Sequence, residues 1–249
     1  MFEQIIKFVA PEEYIKNNQD TLPTPIKLNI PDWYKEKELK HGMEKFTIKG
    51  CMPFLDALTS GYLLKIPSDF YVEHNVEIDG KKATGVTCPN RARNNLTEHI
   101  NINYENIPEY HRSYQLGNSP LVEKNKNLPF HKILNPWVIK TPPGYSCLFT
   151  PPLNNKDDRF EIMSGIVDTD TFPSEINFPI VFNGDKYPSL KTTLKVGTPY
   201  VQVIPFKRDN WKIKIENTNK KEKKETEFFL VKYVIDNYKK KFWNKKSWK

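Results

Sequence analysis

Apolar and polar positions alternate with a period of two along much of this 249-residue chain, and one stretch near the end switches to a helical period. The alternation predicts strands at Phe46-Thr47-Ile48-Lys49-Gly50, at Tyr62 to Ile66, and at Phe70 to Ile78 before the turn Asp79-Gly80-Lys81. An Asp-Gly pair beside alternating runs is a hairpin signal. Trp137 to Thr141 reads as a strand leading into Pro142-Pro143-Gly144, and Tyr145 to Thr150 as one closed by Pro151-Pro152. Ile162 to Val167, Ile176 to Phe182 and Tyr200 to Phe206 follow, with turns at Asn183-Gly184-Asp185 and Val196-Gly197. Short strands at this spacing predict a sandwich or barrel.

Outside those runs the pattern changes. Ile5 to Val9 reads as an edge strand, and Pro23, Pro25 and Pro31 then predict an extended arm over 1–45, anchored through Trp33. From 89 to 135 the chain turns to Asn, Pro and Tyr, a long ordered loop excursion held by residues such as His99, Tyr110 and Phe130. After Trp211 and Lys212 to Ile215, the residues Phe228, Val231, Ile235, Tyr238 and Phe242 make one apolar stripe and predict an amphipathic helix over 225–243. The expected organisation is an arm (1–45), a β core (46–215) and a basic C-terminal helix and tail (219–249).

Composition narrows the class. Twenty Pro against ten Gly disfavours long helices and excludes collagen-like chains, and 13% aromatic content belongs to a chain with a core. No run approaches the roughly 18 to 20 apolar residues of a spanning helix. The net charge of +8 is concentrated in 219–249, where eleven Lys face four acids, so the body is near neutral and offers no DNA-reading surface of its own. That tail reads as a helix docked on its own body or as a docking element for a partner helix, nucleic acid or a membrane surface, the first being favoured. Three cysteines without a CxxC pair, and a start lacking a basic n-region and apolar core, predict an unsecreted protein in a reducing compartment. A cysteine nucleophile with His99 or His131 competes with the preferred reading of three buried thiols.

The familiar catalytic handles are absent: no HExxH, HxD or HxE, GxSxG, GxxxxGK[ST] or GxGxxG occurs. No metal site and no cofactor follows from the sequence. What remains is Gly165-Ile166-Val167-Asp168-Thr169-Asp170 and, thirty residues on, Gly197-Thr198-Pro199-Tyr200-Val201-Gln202. On extended chain Asp168 and Asp170 point the same way, suited to a ligand hydroxyl or a water. In a tight turn they cap backbone N–H groups instead.

The order of the Pro-Pro-Gly-Tyr turn, the strand ending in Pro, Gly-Ile-Val-Asp-x-Asp and Gly-x-x-x-x-Gln over about 136–206 resembles the core of the dUTPase and dCTP-deaminase superfamily. The residues in place are Gly144, Gly165, Asp168, Asp170, Glu175, Gly197 and Gln202. That resemblance implies a β-clip or jelly-roll core, a homotrimer, a nucleotide-like ligand, and Asp168 as the residue that activates water and meets the deoxyribose. The phosphate machinery is missing: Pro151-Pro152-Leu153-Asn154 stands where the family has Pro-Arg-Ser, the ribose-excluding Tyr is Thr171 unless Phe172 replaces it through a one-residue shift, Pro199 replaces an Arg, and no glycine follows Gly197. Triphosphate hydrolysis is therefore not expected.

Cys51-Met52-Pro53-Phe54-Leu55-Asp56, Ser60-Gly61-Tyr62, Asn135-Pro136-Trp137 and the two segments above are also similar to an uncharacterised family of marine tailed phages, cyanophages among them, and some bacteria. That resemblance implies a phage-encoded protein of the host cytoplasm or the virion, with Asp56 and His99 as candidates to join Asp168 at a cleft. Three functions stay open: a binder of a nucleotide-like ligand through Asp168, Asp170 and Gln202; a structural or interaction protein of a phage particle; and an enzyme with Asp168 as general base.

Overall fold

The structure is a computed structural model that describes residues 4–41, 45–76, 109–111, 115, 119–124, 130–217, 223–224, 227 and 238–249. In chain order the strands are β1 (Lys7–Val9), β2 (Thr24–Pro25), β3 (Lys40–His41), β4 (Lys45–Phe46), β5 (Tyr62–Lys65), β6 (Phe70–Asn75), β7 (Glu109–His111) and β8 (Phe130–Ile133). They continue as β9 (Val138–Lys140), β10 (Tyr145–Thr150), β11 (Phe160–Ile162), β12 (Gly165–Val167), β13 (Phe178–Phe182), β14 (Ser189–Leu194) and β15 (Pro199–Lys207). The α-helices that lie wholly among the described residues are short: α1 (Glu12–Asn17), α2 (Asp32–Lys35), α3 (Met52–Thr59) and α4 (Pro120–Lys124). The protein is mainly β, as its alternation predicts.

Antiparallel pairing dominates. One sheet has five strands in the order β12-β10-β15-β5-β2, and a second has four in the order β11-β13-β8-β7. β1 pairs with β9, β14 with β6 and β3 with β4. By proximity the chain forms two compact units, residues 1–24 with 62–207 and residues 25–61 with 208–249. This division follows contacts rather than the compositional boundaries at 45, 215 and 219.

The first unit holds the main core. Alternation along β10 turns Cys147 and Phe149 to the same side as Val201 and Val203 of β15, and all four are buried. Phe178 packs on Phe149 and, edge to face, on Tyr200, with ring centroids 5.4 and 5.7 Å away. Tyr14 of α1 closes on Trp137 in the same manner. Each large apolar side chain buried this way contributes on the order of 1.5–3 kcal/mol.

Several expectations are corrected. The proline-rich arm is not simply extended: Pro11 and Pro31 stand at the N-caps of α1 and α2, where a ring-fixed φ suits a helix start. Its anchor is Tyr34, 4% exposed, rather than Trp33, 46% exposed. The strand expected over 46–50 shrinks to β4, because Thr47 accepts the Lys49 N–H and opens a 3-10 turn at Ile48–Gly50. The next segment is helical, with Pro53 in its first turn and Met52 and Leu58 buried. Ile162 to Val167 is broken at Met163-Ser164 into β11 and β12, which belong to different sheets.

The excursion over 89–135 carries β7, α4 and β8 among its described residues. Asp79-Gly80 and His99 lie outside the described residues, and β6 pairs with the distant β14. The C-terminal helix expected over 225–243 lies largely outside them too. Its described end is one wide turn at Tyr238–Phe242, where the Trp243 N–H donates to the Tyr238 carbonyl at 2.8 Å.

Candidate functional site

The Gly-Ile-Val-Asp-x-Asp segment forms the outermost strand of the five-stranded sheet and the turn after it. β12 pairs with β10 through Cys147↔Val167, Leu148↔Ile166 and Phe149↔Gly165. Continued one step, that register sets Asp168 opposite Ser146, and the chain then curls. The N–H groups of Thr171 and Phe172 both donate to the Asp168 carbonyl, at 3.1 and 2.9 Å. The two carboxylates therefore sit in a turn and do not project together from extended chain.

Each carboxylate grips the start of β10. The Ser146 hydroxyl donates to Asp168 Oδ1 at 2.6 Å, and the Gly144 N–H donates to Asp170 Oδ2 at 2.8 Å. Gly144 is the third residue of a turn closed by the Tyr145 N–H on the Pro142 carbonyl, and its φ of +84° is a backbone region in which glycine is at ease. Thr169, between the acids, is buried: its hydroxyl lies 2.7 Å from that of Thr141 and donates to Cys147 Sγ at 3.3 Å. The Asp-Thr-Asp run thus acts as a clasp on the turn that joins β9 to β10. Thr169 was not singled out in the sequence, where nothing separates it from a surface threonine.

Gln202 is elsewhere on the same sheet. It pairs with Thr150, four residues along β10 from Ser146, which places it about 13 Å along the strand from the Asp168 row. Its side chain is wholly buried, and Oε1 accepts the Leu153 N–H at 2.8 Å. This bond holds the chain leaving β10, where Asn154 takes a φ of +60°, a conformation asparagine tolerates. Asp168 and Gln202 are not brought together.

Asp56 belongs to the other unit, on α3. It accepts Trp243 Nε1–H at 3.0 Å and Lys246 Nζ at 2.5 Å, and so ties the last residues of the chain to that helix. Of the five candidates, Asp168, Asp170, Gln202 and Asp56 all hold the chain's own backbone or side chains, and His99 lies outside the described residues. Among those four, Asp168 is the exposed residue.

The thiols divide. Cys51 is exposed, against the expectation of burial, while Cys147 is buried and burial pushes its pKa up to about 11. Such a thiol is protonated and poorly nucleophilic at neutral pH. Burial also lowers His131 to about 4. No group of three His, Cys, Asp or Glu able to hold a metal ion occurs among the described residues, and no helix among them is long and apolar enough to cross a membrane.

One surface feature stands apart from these residues. β15 ends at Lys207, and 208–217 continues without regular structure, exposing Trp211 at 92%, Ile213 at 85% and Ile215 at 90%. Comparison with protein-family models, with curated proteins and with solved structures finds no match for the chain.

Proposed function

We propose that this chain is an interaction protein, a β-rich body whose segment 211–215 docks it into a larger assembly. The observation that carries this is the exposure of Trp211, Ile213 and Ile215 in strict alternation with Lys212 and Lys214. Three large apolar side chains in water forgo about 1.5–3 kcal/mol each relative to burial, and a contiguous apolar strip is a mark of a partner surface. The engagement of Asp170 and Gln202 by the chain's own N–H groups supports the same reading, since it leaves fewer groups for a ligand. The similarity to a phage family makes a particle, or its assembly in the host cytoplasm, the natural setting. Sedimentation velocity across the micromolar range tests it: the native chain associates and Trp211→Glu does not. A native chain that stays monomeric throughout sinks the reading.

A second reading is favoured by one observation, the exposed Asp168 carboxylate oriented by the buried Ser146 hydroxyl. On a dUTPase-like scaffold it is an acceptor for a hydroxyl of a nucleotide-like ligand, bound without triphosphate hydrolysis. A thermal-shift panel of nucleotides and nucleosides checks this, because a ligand at a hundredfold its Kd adds about 2.7 kcal/mol. The shift must vanish in Asp168→Ala, and no shift with any compound removes the reading.

A further inference from the structure

The segment that carries the assembly reading has the form of a strand without a sheet. Residues 211–216 read Trp-Lys-Ile-Lys-Ile-Glu, so extended chain sets Trp211, Ile213 and Ile215 on one face and Lys212, Lys214 and Glu216 on the other. No backbone group of 211–215 is hydrogen-bonded to a described residue. Unpaired strand edges of this kind are templates for pairing with another chain.

The same chain carries an open edge that suits it. Among the described strands β12 is the outermost of the five-stranded sheet, bonded to β10 on one side only. Ile166 at its centre is 64% exposed, and a side chain added at Gly165 would meet nothing within 4 Å. Leu148 pairs with Ile166 on one side and with Ile204 on the other, so three apolar residues form a cross-strand row that ends in water at Ile166. Cross-strand apolar neighbours are the unit of sheet stabilisation.

We propose that segment 211–215 of one copy adds as an antiparallel strand to the β12 edge of a second copy, with Ile213 opposite Ile166. This rests on the assembly reading and names its partner. The register extends the row to Ile213, Ile166, Leu148 and Ile204. It also sets Trp211 beside the exposed Asp168, an acceptor for the indole N–H. The chain's own edge is out of reach. A place outside β12 is three strand spacings from β15, about 14 Å, and the four steps from Lys207 to Trp211 span about 14 Å when fully extended, leaving nothing for the reversal of direction. Self-pairing of two segments about Ile213 sets Lys212 against Lys214, which is unfavourable. An arm-to-edge contact is heterologous, so it closes into a ring or grows as a filament.

The test uses the full chain with Ile213→Asp in the arm or Ile166→Asp in the edge, both at exposed positions. Circular dichroism and thermal unfolding verify that each variant keeps the native fold. Each variant alone is expected to be monomeric in sedimentation velocity. Mixed, they form a one-to-one dimer, because an intact arm then meets an intact edge once. If Ile213→Asp is monomeric while Ile166→Asp associates like the native chain, the arm docks elsewhere: the β12 assignment is overturned and the assembly reading stands. If the native chain itself is monomeric, both fall.

Discussion

Ser146, wholly buried on β10, donates its hydroxyl proton to Oδ1 of the exposed Asp168 across 2.6 Å. A buried donor and a solvated acceptor respond unequally to substitution. Ser146→Ala removes the donor and costs about 1 kcal/mol, whereas Asp168→Ala withdraws an acceptor from a buried hydroxyl and costs about 1–3 kcal/mol. Asp168→Asn keeps a side-chain oxygen and recovers most of that loss. Urea unfolding of the three variants gives the order, and an unaltered midpoint for Asp168→Ala shows that the bond carries no stability.

Asp170 and Gly144 make the second arm of the clasp. Asp170→Ala leaves the Gly144 N–H without that carboxylate and is expected to cost about 1–2 kcal/mol, the range of a lost cap. Gly144→Ala should cost about 1 kcal/mol for a different reason. An added Cβ meets nothing within 4 Å, so the loss is conformational strain at φ +84° and not a clash. If the two costs add in the double variant, the bond survives Gly144→Ala. A double variant no worse than Gly144→Ala shows that the altered turn had already released Asp170.

Much of the β framework was legible because its strands carry their own signal. Tyr145 to Thr150 and Tyr200 to Phe206 alternate and end at turn residues, and they became β10 and β15 nearly unchanged. β14 escaped notice because Ser189-Leu190-Lys191-Thr192-Thr193-Leu194 is too polar to stand out, its partner β6 being more than a hundred residues away. Prolines misled in the opposite sense, since the same fixed φ that extends a chain also starts a helix at Pro11 and Pro31. The candidate site was half legible: the sequence singled out Asp168, Asp170 and Gln202 as polar groups with a purpose. That Asp170 and Gln202 hold backbone N–H groups depends on where Gly144 and Leu153 fold back, which no local pattern encodes.

Gln202 separates a structural role from a binding one. Its amide is buried, and Leu153 N–H reaches Oε1 at 2.8 Å. Gln202→Ala opens a cavity and strips that donor of its acceptor, a combined loss of about 2–4 kcal/mol. For a chain of this length that lowers the melting temperature by several degrees, at about 2–4 °C per kcal/mol. A Gln202→Ala variant that melts with the native chain yet loses a ligand-induced shift would return Gln202 to the ligand reading.

His131 supplies the pH dependence. It lies on β8 opposite Ile180 and Tyr110, fully buried, with its ring 6.2 Å from that of Phe182. Burial disfavours the charged imidazolium and lowers its pKa from 6.5 to about 4. The unfolded chain takes up this proton near pH 6.5 and the folded chain only near pH 4, so between those values the unfolded state binds more protons. Stability is therefore complete above about pH 6.5, falls as the pH drops toward 4, and is flat in this group below that, for a total loss of about 3 kcal/mol. His131→Phe, an apolar ring of similar size, removes the proton-binding site. The difference in urea midpoint between the native chain and this variant, taken at neutral pH and again near pH 4.5, isolates the histidine from the carboxylates that titrate in both. The variant should gain on the native chain as the pH falls. An equal decline in the two places the acid sensitivity in other groups.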